Sequence, residues 1–156
     1  MSKNVNVQPS SALEDHIGFW LRFVSNHVSH AFAQRVEGAG VSVSEWVVLR
    51  LLHDHRAQTV TELAQATGMT KGAISKQLRS LESAALVARA IDSTDRRSQG
   101  LKLTAKGRKL LPKLAAMADA NDDYFFGHLC ADDRRALMAV MRDLVNHHRW
   151  RSMPIC

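Results

Sequence analysis

On a helix running from about residue 71 to Ala84, the positions Gly72, Ser75, Lys76, Arg79 and Ser83 fall on one side, and none is acidic. Small and hydroxylic residues allow close approach, while Lys and Arg can donate to guanine O6/N7 or to phosphates. The opposite side carries Ile74, Leu78 and Leu81, within about 60° of one another at helical geometry. One face has a core to join and the other a surface to meet. Glu82 lies at the edge beside the apolar face. A second group follows in the charged segment Asp92-Ser-Thr-Asp95-Arg96-Arg97-Ser98. Arg96 and Arg97 at the tip of a thin ribbon suit a narrow minor groove, where negative potential concentrates. Asp95 suits pairing with one of those arginines to hold the tip in shape, with a plain turn-forming Asp as the alternative.

The charge balance singles out the same region. Between Lys71 and Lys113 there are eleven Lys/Arg against three acids, whereas the rest of the chain carries ten basic against twelve acidic residues. That stretch supplies more than the whole net charge of +6. Concentrated positive charge draws phosphate backbones by Coulomb attraction and counterion release, and anionic membrane surfaces by the same physics. The chain has 156 residues, 46% hydrophobic and 23% charged, enough for one folded domain with its own core. No apolar run exceeds six residues and the first ten are polar, which argues against a spanning helix or a signal peptide. Two cysteines exclude a disulfide framework or a four-cysteine zinc site. A cytoplasmic protein is expected.

The elements that must position these groups are legible from caps and periodicity. Ser11-x-x-Glu14 predicts a capping box opening a long helix to Glu37, with Leu13, Ile17, Leu21, Val24, Val28 and Phe32 at helical spacing. At about 40 Å it would outrun a domain of this size. Ser42-x-x-Glu45 opens a short helix to about His53, apolar nearly all round and so bound for a core. Thr59-x-x-Glu62 opens a third, ending at Thr67; Gly68-Met69 is a tight turn, and Thr70 caps the helix described first. Leu86–Ile91 and Gln99–Leu103 read as two strands. Thr104 caps a helix to about Gly127, with a kink expected from Pro112, and a last helix covers about Asp132 to Arg149. The fold class is therefore mainly α with a small β-hairpin. Residues 1–10 and 151–156 are expected to be tails.

Two helices joined by a Gly turn make a helix-turn-helix, and the hairpin after it a wing. The chain carries Val41-Ser-Val-Ser-Glu-Trp46 through Leu52, Val60-Thr-Glu-Leu-Ala64, Gly68-Met-Thr-Lys71 with Ile74-Ser-Lys76, and Leu81-Glu82 leading to Leu86-Val87. It also carries Asp92-x-x-Asp95-Arg96-Arg97, then Leu101-x-Leu103-Thr104-x-x-Gly107. In this order, over about residues 11–149, the chain resembles the MarR family of winged-helix transcription regulators. The resemblance implies a homodimer on a pseudo-palindromic operator in double-stranded DNA, with 41–103 as the DNA-binding lobe and 11–40 with 104–150 as the dimerisation region. It implies that Thr70, Lys71, Gly72, Ser75, Lys76 and Arg79 lie in the major groove, and that Arg97 enters the minor groove, held by Asp95. Dimerisation also follows from the residues, since three long amphipathic helices are too much apolar surface for one small domain to cover.

Members of that family answer small anionic or phenolic ligands, oxidants through cysteine, or zinc. His16, Phe19, Trp20, Phe23, His27 and His30 form a second stripe on the first helix, and Trp46 with Arg50 project from the second. Aromatic walls with a few polar groups suit a small aromatic acid or phenol, with Arg50 as the carboxylate partner. Interface packing, with Arg50 paired to an acid, is the competing reading. His27-x-x-His30 is near metal-pair spacing, but the other histidine pairs fall near helix ends, and no metal or cofactor is expected. Cys130 is expected to be a buried, inert thiol.

Three functions compete. The first is a repressor released from its operator by ligand. The second is an architectural DNA-binding protein that discriminates little between sequences. An enzyme comes last: the chain has no Gly-rich phosphate loop, no HExxH, no nucleophile elbow and no paired carboxylates on an apolar helix. Asp122-Asp123 and Asp132-Asp133 read as solvated helix-end charges.

Overall fold

The computed structural model describes residues 10–54, 59–90 and 100–150. Six α-helices and a two-stranded hairpin follow one another as α1 (Ile17–Glu37), α2 (Val43–Asp54), α3 (Val60–Thr67), α4 (Lys71–Ser83), β1 (Val87–Ala90), β2 (Gly100–Leu103), α5 (Ala105–Phe126) and α6 (Ala131–His147). The fold class is the expected one, mainly helical with a small antiparallel hairpin.

Local caps set most of these boundaries. The Ser42 Oγ accepts from the Glu45 N–H at 3.2 Å while the Glu45 carboxylate accepts from the Ser42 N–H at 2.8 Å. Thr59 and Glu62 repeat the exchange at 3.2 and 2.7 Å. Each box satisfies two donors that a helix start leaves without partners. The Ser11 box does not form. A separate 3-10 turn, Leu13–Asp15, precedes α1, and the Ala12 N–H donates to Asp15 at 2.9 Å. The Glu14 carbonyl, which a continuous helix would use internally, accepts instead from the Trp20 indole N–H at 2.9 Å. His16 is then extended, and α1 starts five residues later than expected. Pro112 lies inside α5, which runs on through it to Phe126.

The core joins α2, α3, α4 and the hairpin to the last part of α1 and the first half of α5. Val48, Leu49, Leu63, Ile74, Leu78, Leu81, Leu101 and Leu114 are buried in it. The hairpin pairs Val87 with Leu103 and Arg89 with Leu101, so Leu101 and Leu103 face inward together. Elsewhere the apolar surface is uncovered. Ile17 is 77% and Val140 59% exposed, and α6 has no buried residue. A groove of about 700 Å³ opens between the first half of α1, the end of α5, and Leu137 and Met141 of α6. Asn121 of α5, buried, donates its amide to the Val28 carbonyl of α1 at 3.2 Å.

Where α4 meets β1 the backbone turns sharply. The Ala85 N–H donates to the Glu82 carbonyl and the Leu86 N–H to the Leu81 carbonyl, both at 2.9 Å, with Ala85 at φ 59°. This is the paired helix ending that usually carries Gly in the left-handed position. The first turn of α5 then takes up the next carbonyls. Lys106 Nζ donates to Ala84 O at 2.8 Å, Thr104 Oγ1 to Ala85 O at 2.6 Å, and Thr104 N to Leu86 O at 3.0 Å. Gly107 permits the approach, because a Cβ there would lie 2.2 Å from Leu86 O.

Left-handed backbone costs a residue with a Cβ roughly 1–2 kcal/mol, whereas glycine's extra unfolded-state freedom costs about 0.5–1 kcal/mol. The strain at Ala85 outweighs the entropy that glycine would lose. Ala85→Gly is therefore expected to stabilise the fold by about 0.5–1 kcal/mol in denaturant melts, and a loss of stability would show that Ala85 is unstrained.

Candidate nucleic-acid interface

The turn between α3 and α4 is built from side chains that turn inward. Thr67, buried, donates to the Leu63 carbonyl at 2.8 Å and accepts from the Met69 N–H at 3.3 Å. Gly68 takes φ 72°, the left-handed value the turn requires. Thr70 Oγ1 then accepts from the Ala73 N–H at 3.1 Å and caps α4. Ile74, Leu78 and Leu81 fix the rotation of α4 by sinking into the core.

That rotation leaves Thr70, Lys71, Gly72, Lys76 and Arg79 exposed along one side, with Ser75 half-buried among them. These six candidate positions come together. At Gly72 an added Cβ would meet only the Thr70 hydroxyl, 4.0 Å away, so packing within this chain does not require glycine there. Glu82, the one acid of α4, is in an ion pair with Arg89 of β1 at 3.0 Å. Asp95, Arg96 and Arg97, predicted for the wing tip, lie outside the described residues.

Part of the basic surplus has structural employment. Lys106 holds the Ala84 carbonyl, and Arg108 donates to the Leu103 carbonyl at 2.7 Å. Formal charge along the sequence therefore overstates what this surface presents. No sequence signal marked these two as carbonyl ligands, because their partners are elsewhere in the chain.

The residues predicted for a ligand pocket fall into two groups. Phe19, Trp20, Phe23 and His27 form a run of ring contacts on α1, with Phe23 and His27 centroids 4.9 Å apart. His16, one turn earlier, meets the Ser11 hydroxyl at 3.0 Å. Trp20, Phe23 and His27 line the groove together with Phe125, Phe126 and His128, a set the α1 periodicity did not reveal. Trp46 packs instead against Phe32, 6.3 Å between centroids, on the other side of α1. Arg50 pairs with Asp54 at 3.4 Å, as the interface reading expected. The α1 and α2 groups therefore do not form one pocket within this chain.

His30 lies 3.2 Å from Gln34 Nε2. Cys130 is exposed, contrary to expectation, and its sulfur accepts from the Asp133 N–H at 3.4 Å. It stands at the start of α6, where a hydroxyl is usual, and α6 has little else packed against it. Among the described residues no helix is long and apolar enough to cross a membrane.

The profile of the MarR family matches residues 39–98, which span α2, α3, α4 and β1. The HTH-type transcriptional repressor Rv2887 of Mycobacterium tuberculosis is 32% identical over 105 residues, 67% of this chain and 76% of that protein. Transcriptional regulator HosA of Escherichia coli is 29% identical over 102 residues, 65% of this chain and 76% of its own. Among solved structures, CouR from Rhodococcus jostii RHA1 bound to p-coumaroyl-CoA superposes with a TM-score of 0.78 at 26% identity, covering 94% of this chain and all of that one. Rv2887 in complex with DNA gives a TM-score of 0.71 at 27% identity over 83% of this chain and 97% of its own. Rv2887 with salicylic acid gives 0.68 at 29% identity, over 83% and 96%. Fold, helix-turn-helix geometry and sequence agree, and the chain belongs to the MarR family of DNA-binding winged-helix transcriptional regulators.

Proposed function

We propose that this regulator is a homodimeric repressor that binds a pseudo-palindromic operator and is released by a small aromatic acid or phenol. The observation that carries the DNA-binding part is the exposed, acid-free side of α4, anchored from behind by Ile74, Leu78 and Leu81. Thr70, Lys71, Gly72, Ser75, Lys76 and Arg79 meet the major groove, and Arg97, with Arg96 and Asp95, meets the minor groove. Residues 41–103 form the DNA-binding lobe.

Residues 11–40 and 104–150 assemble the dimer. Support comes from the uncovered groove and from α6, a 17-residue helix without a buried residue, whose apolar stripe stays about 40% or more exposed. Isolated helices of that length are marginal in water, so α6 needs a partner to persist. Two-fold symmetry then sets the recognition helices roughly 34 Å apart, the spacing of successive major grooves.

For the effector, the support is chemical. Relatives are solved with salicylic acid and with p-coumaroyl-CoA, and α1 offers rings beside histidines. Arg50 is half-exposed in its pair with Asp54; such surface pairs contribute only about 0.2–1 kcal/mol, so a carboxylate ligand can displace Asp54 at little cost.

Fluorescence anisotropy with duplex DNA from the chain's own upstream intergenic region, against a scrambled competitor at fixed salt, tests the reading. At least tenfold preference is expected, and equal, steeply salt-dependent binding to both would favour the architectural alternative. Light scattering at micromolar concentration should give the dimer mass; a monomer would contradict the assembly. Gly72→Ala should leave the fold intact or stabilise it by up to about 1 kcal/mol while weakening operator binding at least fivefold, because the added methyl has room in the protein but not against a groove floor. In a panel of aromatic carboxylates and phenols, at least one is expected to lower operator affinity and raise the melting temperature, and a flat response across the panel would remove the effector.

A further inference from the structure

Glu82 is out of place by two electrostatic criteria. It sits in the last turn of α4, where the helix dipole disfavours an acid, and it is the only acid on an element whose exposed side is otherwise neutral or basic. Its side chain is about three-quarters buried, and its carboxylate meets Nε of the half-exposed Arg89 at 3.0 Å. Arg89 shares the inner face of the hairpin with Val87, and its register partner is Leu101. The pair therefore closes the edge of the core where α4 and β1 diverge, and it bridges the recognition helix to the wing strand.

We propose that Glu82 is a positioning residue for DNA recognition, its pair with Arg89 setting the angle between α4 and the wing so that both grooves are engaged at once. The inference rests on the reading that α4 and the wing are the two DNA-contacting elements. The turn at 84–86 already fixes the position of the strand's first residue. Pairing with β2, whose Leu101 and Leu103 are buried, ties the strand to the core, and the contact from Glu82 to a residue two positions along β1 adds a direct tie to α4. The turn sets where the first wing strand begins, and the ion pair couples that strand to the recognition helix.

Coulomb's law alone predicts the opposite sign for the obvious test. Removing a negative charge near a phosphate backbone strengthens binding to any duplex. A positioning role predicts that Glu82→Gln weakens operator binding at least fivefold, about 1 kcal/mol, leaves scrambled-duplex binding equal or stronger, and so lowers the discrimination ratio. Glu82→Asp keeps the charge but shortens the reach, and is expected to lose discrimination too. The reversal Glu82→Arg with Arg89→Glu should recover part of what each single change loses. All are measured on the full-length dimer by anisotropy across a salt series, with thermal melts run alongside.

Operator affinity that rises in Glu82→Gln, or an unchanged ratio in both single variants, overturns the proposal while leaving the DNA-binding reading intact. If Glu82→Gln does not fold, Glu82→Asp decides by the same ratio. A wild-type protein without operator preference would instead refute the underlying reading, and this inference with it.

Discussion

Backbone carbonyls that leave a helix end beside a core must find donors, because a buried polar group left unpaired costs about 1–3 kcal/mol. At the end of α4 the carbonyl of buried Leu86 faces this problem, preceded by the more exposed carbonyls of Ala84 and Ala85. All three are answered by Thr104 and Lys106 of α5 and its cap. Much of the remaining architecture follows from that arrangement. The recognition helix stops where it does because its C-terminal carbonyls are taken by the turn and by α5. The hairpin starts in register, with Val87 opposite Leu103, because Thr104 is fixed against Leu86. The 22-residue α5 thus begins as a clamp on the end of the shorter α4, so displacement of α5 carries the end of α4 and the start of β1 with it.

The parts of the fold that were readable in the sequence are those whose causes are local. The boxes and caps that open α2, α3 and α4 lie within three residues of their partners, as do Thr104 and Gly107. The Ser11 box shows the limit. Its residue types were right, but an indole six positions from Glu14 claimed the carbonyl that the helix needed. Periodicity gave the correct buried face of α4 because three large aliphatics leave one way to rotate it. On α1 the same method found both stripes but not what they would face. Trp46 went to Phe32 and Arg50 to Asp54, contacts set by how α2 crosses α1. The left-handed Ala85 was similarly invisible, since nothing about alanine announces a positive φ.

The molecule divides its apolar residues between two fates. Among the described residues, most of those of α2, α3, α4 and the hairpin are packed within the chain, together with the final turns of α1 and the opening turns of α5. Those at the other ends of the same two helices, and on α6, remain exposed. Each of α1 and α5 therefore spans a satisfied half and an unsatisfied half, and the two helices rigidly connect those halves. Whatever covers the exposed half acts on the packed half, and so on α2–α4 and the hairpin, through these two rods.

Asn121 decides how the two rods can move. Apolar stripes slide past one another at modest cost, because one aliphatic contact is much like the next. An amide reaching across to the Val28 carbonyl at 3.2 Å does not slide: a slip by one residue, about 1.5 Å along the axis, would strand the buried donor and forfeit its bond. Asn121 thus works as a key in a keyway, admitting a single register between α1 and α5. The pair can pivot or translate as one body, and shear between its members is the motion this residue forbids.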